Sequence, residues 1–346
     1  MRIGLVGYGT GGQHFHAPFI AAAEGVELVG VVARAPATVA KVKADFPAIP
    51  VFPSLAAMIS AGGLDAVTIT TPPQTRRDLV LEAIAAGLHV VADKPFAPSA
   101  EVGRELDRAA KARGVVLGVF HNRRWDADVR TLRRVIDEGR LGRLWRIHSR
   151  MDQDDPATLE AGVTGGLLRD LGSHVVDQML WLLGPAVSVD AQLDMIDLPQ
   201  GRTDAGFTLT LRHADGAHSH LESSKLNRLA VKEYRAYGER GSYVSSGTDV
   251  QAQAIFAGRR PIDDPSGWGY EARRNWGTLR TAAGEEPVPS EQGRYHDHYL
   301  AFARAVRDGT PPPVTAEEGI RTLALLDAAR TSAREGRSVE LDPEPV

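Results

Sequence analysis

Over the first 120 positions, short runs of aliphatic and β-branched residues alternate with alanine-rich stretches. The runs are Ile3–Val6, Val26–Val32, Ala66–Thr70, His89–Ala92 and Val115–Val119. The stretches include Leu55–Ala61, Asp78–Ala86 and Ala100–Ala112. Gly87 and Gly114 stand just past two of these stretches, where a helix closes most easily in a left-handed conformation. Strands alternating with helices predict an α/β domain, a doubly wound parallel sheet covered on both faces.

The pattern changes after Phe120. Trp125–Glu138 reads as an amphipathic helix closed by Gly139, and Leu167–Leu183 as another closed by Gly184. Strand-like runs follow with no helix between them: Ala186–Leu193, Ala205–Arg212, His218–Ser223 and Lys232–Tyr237. Phe207, Leu209 and Leu211 alternate with polar residues, the mark of a sheet with one packed face. Pro311, Pro312 and Pro313 precede a last helix over Ala316–Arg334. The expected division is an α/β domain over 1–121 and an α+β domain with a mostly antiparallel sheet over 122–346.

Composition removes several classes of function. A net charge of -4 offers no basic excess for a nucleic-acid backbone. With no cysteine there is no disulfide, zinc–thiolate site or thiol nucleophile. Its absence fits a reducing compartment. No apolar run approaches the roughly 18–20 residues that span a bilayer, and the chain enters a strand at Arg2 rather than a leader. A cytoplasmic protein with neither a membrane nor a nucleic-acid partner is expected.

The chemistry starts where the first strand ends. Gly7-Tyr8-Gly9-Thr10-Gly11-Gly12 is a G-x-G-x-x-G sequence in the position where glycines let backbone amides approach a pyrophosphate. Pro18 is tolerated only in a first turn, so regular helix is expected to start near His16 or Ala17. At the end of the second strand, an acidic residue would hold the ribose 2′-hydroxyl of NAD. Here the chain has Ala33-Arg34 instead, and a guanidinium suits a 2′-phosphate. NADP is therefore expected, with NAD the alternative if Arg34 stacks on adenine or faces solvent.

A buried strand runs into Asp93-Lys94-Pro95 at the sheet edge where such folds bind ligands. Beside a cationic nicotinamide, the Lys94 pKa should fall into a usable acid–base range. The alternative is a lysine paired with Asp93. In the Leu167–Leu183 helix, Asp170 and His174 stand four apart and share a face. An aspartate there can orient an imidazole and stabilise its cation. Asp177 extends the polar stripe, either as a third member or as a structural partner. A metal held by these three with His296 and His298 is a weaker alternative, and no metal is expected.

These features together resemble the glucose–fructose oxidoreductase, inositol dehydrogenase and rhizopine-catabolism (Gfo/Idh/MocA) oxidoreductase family, over essentially the whole chain. The marks are Gly7–Gly12, Asp93-Lys94-Pro95, and Asp170 with His174. Phe15-His16-Ala17-Pro18 and Val119-Phe120-His121-Asn122-Arg123-Arg124-Trp125-Asp126 resemble the branch of NADP-dependent scyllo-inositol dehydrogenases. The resemblance implies a Rossmann domain, then an α+β domain with a large open-faced sheet, and an active site in a cleft between them. It implies catalysis by Lys94, Asp170 and His174 on a secondary alcohol or ketone of a small polyhydroxylated substrate, a sugar or cyclitol. His174 would take the hydroxyl proton and Lys94 would hold the oxygen; which is the formal base stays open. Cofactor contacts would come from Gly7, Gly9, Thr10, Gly11, Gly12, Ala33, Arg34, Thr71, Pro72, Asp93 and Lys94.

Some positions depart from the family pattern. Asp93 replaces a usual glutamate, and Arg76 stands where relatives often carry histidine. Met151-Asp152-Gln153-Asp154-Asp155-Pro156 lacks an arginine- and tryptophan-rich stretch. Asp152 and Asp154 are expected either to accept hydrogen bonds from substrate hydroxyls or to be solvated loop carboxylates. Asn122 and Arg123 are expected to recognise hydroxyls. Arg124 and Trp125 are expected to pack between the domains, and His296 and His298 either to pack there or to close the site. An open sheet face carrying apolar residues predicts self-association, and the resemblance implies a homodimer or homotetramer. The competing readings are a cofactor-sensing regulator without turnover, and a relative that uses tightly held NAD on glycosides or reduces nucleotide-sugar ketones.

Overall fold

A computed structural model describes residues 1–162, 165–247 and 249–342. The chain divides into two compact units. The first holds Met1–Asn122, Gln251–Trp268 and Arg294–Ile320, and the second holds Arg123–Val250, Gly269–Gly293 and the chain from Arg321 onward. The first break lies one residue past the expected 121/122 boundary, and the chain then returns twice to the first unit.

The first unit opens with β1 (Arg2–Val6), α1 (Ala17–Ala22), β2 (Glu27–Val32), α2 (Pro36–Asp45), β3 (Val51–Phe52), α3 (Leu55–Ala61), β4 (Ala66–Ile69), α4 (Pro73–Ala85), β5 (His89–Asp93), α5 (Ala100–Arg113) and β6 (Leu117–Phe120). The strands run parallel in the order β3-β2-β1-β4-β5-β6. Ile3, Leu5, Val67, Ile69, Val90 and Val91 are fully buried, as central strands covered on both faces must be. The order reverses between β1 and β4, which opens a crevice at their carboxyl ends. The two returning segments pack on this unit through aromatic contacts. Trp268 and Tyr295 meet Phe19 edge-on at 5.8 and 5.2 Å.

The second unit holds α6 (Ala127–Asp137), β7 (Leu144–Asp152), α7 (Leu167–Leu183), β8 (Ala186–Leu198), β9 (Gly201–His213), β10 (His218–Ser224), β11 (Val231–Gly238) and β12 (Gly241–Ser245). After α8 (Val250–Phe256), which starts at the boundary with the first unit, come β13 (Gly277–Thr281) and β14 (Gly284–Val288). The chain ends with α9 (His296–Asp308) in the first unit, α10 (Ala316–Glu335) across the division at 320/321, and β15 (Val339–Glu340) in the second. The nine-stranded sheet has the order β14-β13-β12-β11-β7-β10-β9-β8-β15. All its pairs are antiparallel except β7 with β10.

Period-two alternation sorts this sheet cleanly. Ile147, Phe207, Leu209, Leu211, Leu221, Tyr234 and Ala236 face the core with the apolar stripe of α7, Leu168, Leu171, Val175 and Met179. The opposite face carries Arg146, His148, Arg150, Thr208, Thr210, His220, Glu222, Glu233 and Arg235. The expectation of apolar residues on the open face is corrected here: across β7, β9, β10 and β11 that face is mostly charged and polar, and the ring of Tyr237 on it lies under the Arg146 guanidinium.

Two lysines break the inward pattern. Lys232 stands at a core-facing position of β11, and its ammonium donates to Asp126 and, at 3.0 Å, to Asp128. Arg123 completes the cluster, at 3.2 Å from Asp126 and 2.6 Å from Asp249. Burial pushes the Asp128 carboxyl from 3.8 up to about 6; Lys232 opposes the rise, and Asp126 and Glu271 add to it. The folded state thus binds this proton more tightly than the unfolded state. The stability it contributes is present below about pH 4 and is lost as pH rises through about 6. Urea midpoints recorded between about pH 4 and pH 7 will fall less steeply for Asp128→Asn than for the native chain. Equal slopes would show that Asp128 is ionised throughout.

Candidate functional site

The glycine loop leaves no room for side chains where it turns. Gly7 has φ +102°, and a Cβ there would lie 2.8 Å from Thr70 Oγ1. A Cβ on Gly12 would lie 2.3 Å from the Gly7 carbonyl oxygen, whereas Gly9 faces open space. Gly11–His16 winds in wide π-type turns that follow Thr10, and α-helical winding begins at Ala17 with Pro18 in its first turn. Beside the loop is a cleft of about 750 Å³, lined by Gly7, Gly9, Ala33, Arg34, Thr71 and Pro72, with Glu82 of α4 also on its wall. A bare glycine cradle at the end of β1, opening on a cleft of this size, fits a dinucleotide.

The residue between the first two glycines is anchored. The Tyr8 hydroxyl donates to Asp45 Oδ2 at 2.9 Å, and Gln13 Nε2 donates to the same oxygen at 2.9 Å. Arg260, on the first returning segment, binds Asp45 Oδ1 at 3.0 Å. Burial first, and then the Asp45 carboxylate, push the Tyr8 phenol well above its ordinary pKa. Asp45 therefore ties the loop to the end of α2, a role with no local sequence signal.

Lys94 follows the last residue of β5. Its backbone amide donates to Asp93 Oδ1 at 2.8 Å, and His16 Nε2 lies 3.4 Å from the same oxygen. His16 is fully buried, with Nδ1 2.6 Å from the Tyr299 hydroxyl. Burial alone would raise the Asp93 pKa, but His16, Arg76 and Lys94 together hold it below the usual range. Arg76 is buried in the first unit. Its guanidinium donates to the carbonyl of Thr71 and to those of Asp93 and Pro95, on either side of Lys94. Burial pulls its pKa down to about 10, against the pull of Asp93. The departure noted at position 76 is thus a clamp on the Lys94 turn.

In the second unit, α7 carries Asp170 and His174 one turn apart, with His174 only 6% exposed. Asp170 Oδ2 accepts from Lys225 Nζ at 3.0 Å, and Lys225 also donates to Thr158 Oγ1 at 2.8 Å. Lys225 escaped the sequence reading. It continues the inward register of Leu221 and Ser223, and a lysine at an inward position was the available signal. Asp177 serves as a structural partner: Arg124 grips it with two bonds of 2.9 and 2.7 Å.

The remaining candidates divide. Asn122 is buried at the end of the first unit, and Arg123 is committed to the Asp126–Asp249 cluster. Asp152 is not a loop carboxylate. It ends β7, is 4% exposed, and accepts from Arg150 at 2.6 Å and from the Ser224 amide at 2.9 Å. Asp154 is exposed, 3.6 Å from Arg228. Lys94 belongs to the first unit and the Asp170–His174 pair to the second. Among the described residues no group of three or more side chains has metal-ligand geometry, and no helix is long and apolar enough to cross a membrane.

A doubly wound sheet with a bare glycine cradle at its reversal point defines a dinucleotide-binding fold. Residues 1–121 match the model of the oxidoreductase family with an NAD-binding Rossmann fold, and residues 129–244 match the GFO/IDH/MocA C-terminal domain. The chain belongs to the GFO/IDH/MocA family of oxidoreductases. It is 33% identical to the NADP(+) scyllo-inositol 2-dehydrogenase IolW of Bacillus subtilis, over 99% of this chain and 96% of that one. An NAD(+) scyllo-inositol 2-dehydrogenase of the same organism is 28% identical over 81% of this chain and 78% of its own. Among solved structures, the oxidoreductase yvaA from Bacillus subtilis superposes with a TM-score of 0.89 at 33% identity, covering 99% of this chain and 98% of that one.

Proposed function

We propose that this oxidoreductase is an NADP-dependent dehydrogenase or reductase acting on a secondary alcohol or ketone of a sugar or cyclitol, with a polyol like scyllo-inositol as the representative substrate. The observation that carries the cofactor reading is Arg34, which lines the nucleotide cleft directly after β2 where an NAD enzyme would place a carboxylate. Support for the substrate class comes from IolW, similar along nearly the whole chain, and from a 1,5-anhydro-D-fructose reductase of Ensifer adhaerens, 28% identical over 84% of this chain and 83% of its own.

Gly7, Gly9, Thr10, Gly11 and Gly12 would hold the pyrophosphate, Ala33 and Arg34 the adenosine end, and Thr71, Pro72, Asp93 and Lys94 the nicotinamide end. When bound, the nicotinamide ring supplies the hydride chemistry. His174 takes the hydroxyl proton in oxidation and returns it in reduction. Lys94 holds the substrate oxygen, and Asp170 fixes the imidazole. Asn122, Arg123, Asp152 and Asp154 would take part only through atoms left over from the contacts already described.

A panel of polyols and sugars assayed with NADP and with NAD tests the reading, and inactivity across the panel despite tight NADP binding would refute it. Arg34→Ala should weaken NADP by about 2 kcal/mol, roughly thirtyfold in KM, and leave NAD unchanged. Equal losses for both cofactors would remove Arg34 from phosphate recognition.

A further inference from the structure

The two inward-facing lysines of the second sheet differ in one respect. Lys232 meets Asp126 and Asp128, whose side chains are 4% and 0% exposed, so that cluster is closed to solvent. Lys225 is buried as deeply, with a side chain 3% exposed, but the Asp170 side chain it holds is 46% exposed. A buried ammonium needs a carboxylate and hydrogen-bond partners to offset its desolvation, and Thr158 and Asp170 supply them. A closed cluster would satisfy that need equally well. Here the pair is left half open, on the face of α7 that also carries His174.

We propose that Lys225 is a positioning residue for the reaction: its ammonium fixes the Asp170 carboxylate in one orientation, so that Asp170 can set the ring of His174. The inference rests on the reading given under Proposed function. Groups near the pair bear it out. Arg169, the neighbour of Asp170 on α7, turns away to Asp327 at 2.6 Å. Asp177, further along the helix, is occupied by Arg124. Thr158, on the short turn over Pro156–Thr158, presents a neutral hydroxyl and leaves the carboxylate to the lysine. The residues that line the cleft of the glycine loop all belong to the first unit, whereas Lys225, Thr158 and Asp170 belong to the second.

A double-mutant cycle tests this with the full-length chain, NADP and the best substrate of the polyol panel. Lys225→Met should lower kcat about 100-fold with KM changed no more than about threefold. Lys225→Arg, which keeps the charge, should recover at least about tenfold of that loss. In an Asp170→Asn background, Lys225→Met should cost nothing further, because the lysine acts through the carboxylate. NADPH fluorescence titration should give the same affinity for the native chain and all four variants, and melting curves should show each folded at the assay temperature. Additive losses in the cycle, or native kcat in Lys225→Met, overturn the inference. If Lys225→Met is unfolded, Lys225→Gln takes its place in the cycle: a kcat loss that vanishes in the Asp170→Asn background supports the inference, and native kcat or an additive loss overturns it. A native protein inactive on every substrate refutes the reading of the site, whereas an active native protein with an unaffected Lys225→Met refutes only the role of the lysine.

Discussion

His174→Ala and Lys94→Ala each lower kcat by about 1,000-fold or more while NADP still binds within a few-fold of its native affinity. The size follows from the two roles. A positioned acid–base group contributes roughly 100- to 10,000-fold, and the alcohol proton has to leave as the carbinol carbon is oxidised. His174 is nearly sealed from water on a helix whose opposite face is core, so bulk solvent is a poor replacement for it. Lys94 sits where the Arg76 clamp and the Asp93 carboxylate fix the turn on both sides, and an alanine there leaves the clamp intact but removes the charge that, in the proposed reading, would hold the substrate oxygen. Losses in kcat and kcat/KM should be parallel, because the interactions strengthen in the transition state. Single-turnover reduction of NADP, with fluorescence titration of NADPH on the same samples, checks both halves. Retained turnover in either variant removes that residue from the chemistry.

Where the sequence was legible, the requirement was local. The glycine loop reads directly, because Gly7 and Gly12 answer to backbone geometry within a few residues. Helix α7 reads to its ends because Leu168, Leu171, Val175 and Met179 repeat at helical spacing between Gly166 and Gly184. The same logic explains the misses. Helix α2 was overlooked because it buries a single residue, Val42. Strand β7 was overlooked because one of its inward positions is Ser149, which breaks the apolar alternation between Ile147 and Met151. The short edge strands β13 and β14 are largely exposed and carry little alternation at all.

The candidate site divides in the same way. Asp170 with His174 and the lysine at the end of β5 are local patterns. The partners that give them their settings are not. Lys225 is 55 positions from Asp170, Arg76 reaches carbonyls 17 and 19 positions away, and Tyr299 meets His16 across 283. Nothing in a single sequence ranks such pairs, though a charged residue at a core-facing strand position is a sign that one exists. The polar outer face of the sheet escaped for another reason. Alternation says which positions face outward, but not whether the outward set is apolar enough to demand a cover.

Asp177 is the position where structural and catalytic readings of the α7 stripe part most sharply. Its carboxylate is 2% exposed and takes both bonds from an Arg124 guanidinium that is 5% exposed and lies over the Trp181 ring at 5.8 Å. Removing one member of a buried pair strands the other charge in a low-dielectric site, at a cost of about 3–5 kcal/mol. Asp177→Ala should therefore lower the urea midpoint by far more than a surface change does, with the unfolding slope unchanged. Arg124→Met combined with Asp177→Leu should recover most of the loss, because neither charge is then left alone. The folded fraction of Asp177→Ala should keep kcat within a few-fold of native, unlike His174→Ala three residues earlier on the helix. A large kcat loss with little destabilisation would reverse the assignment and make Asp177 the third catalytic member of the stripe.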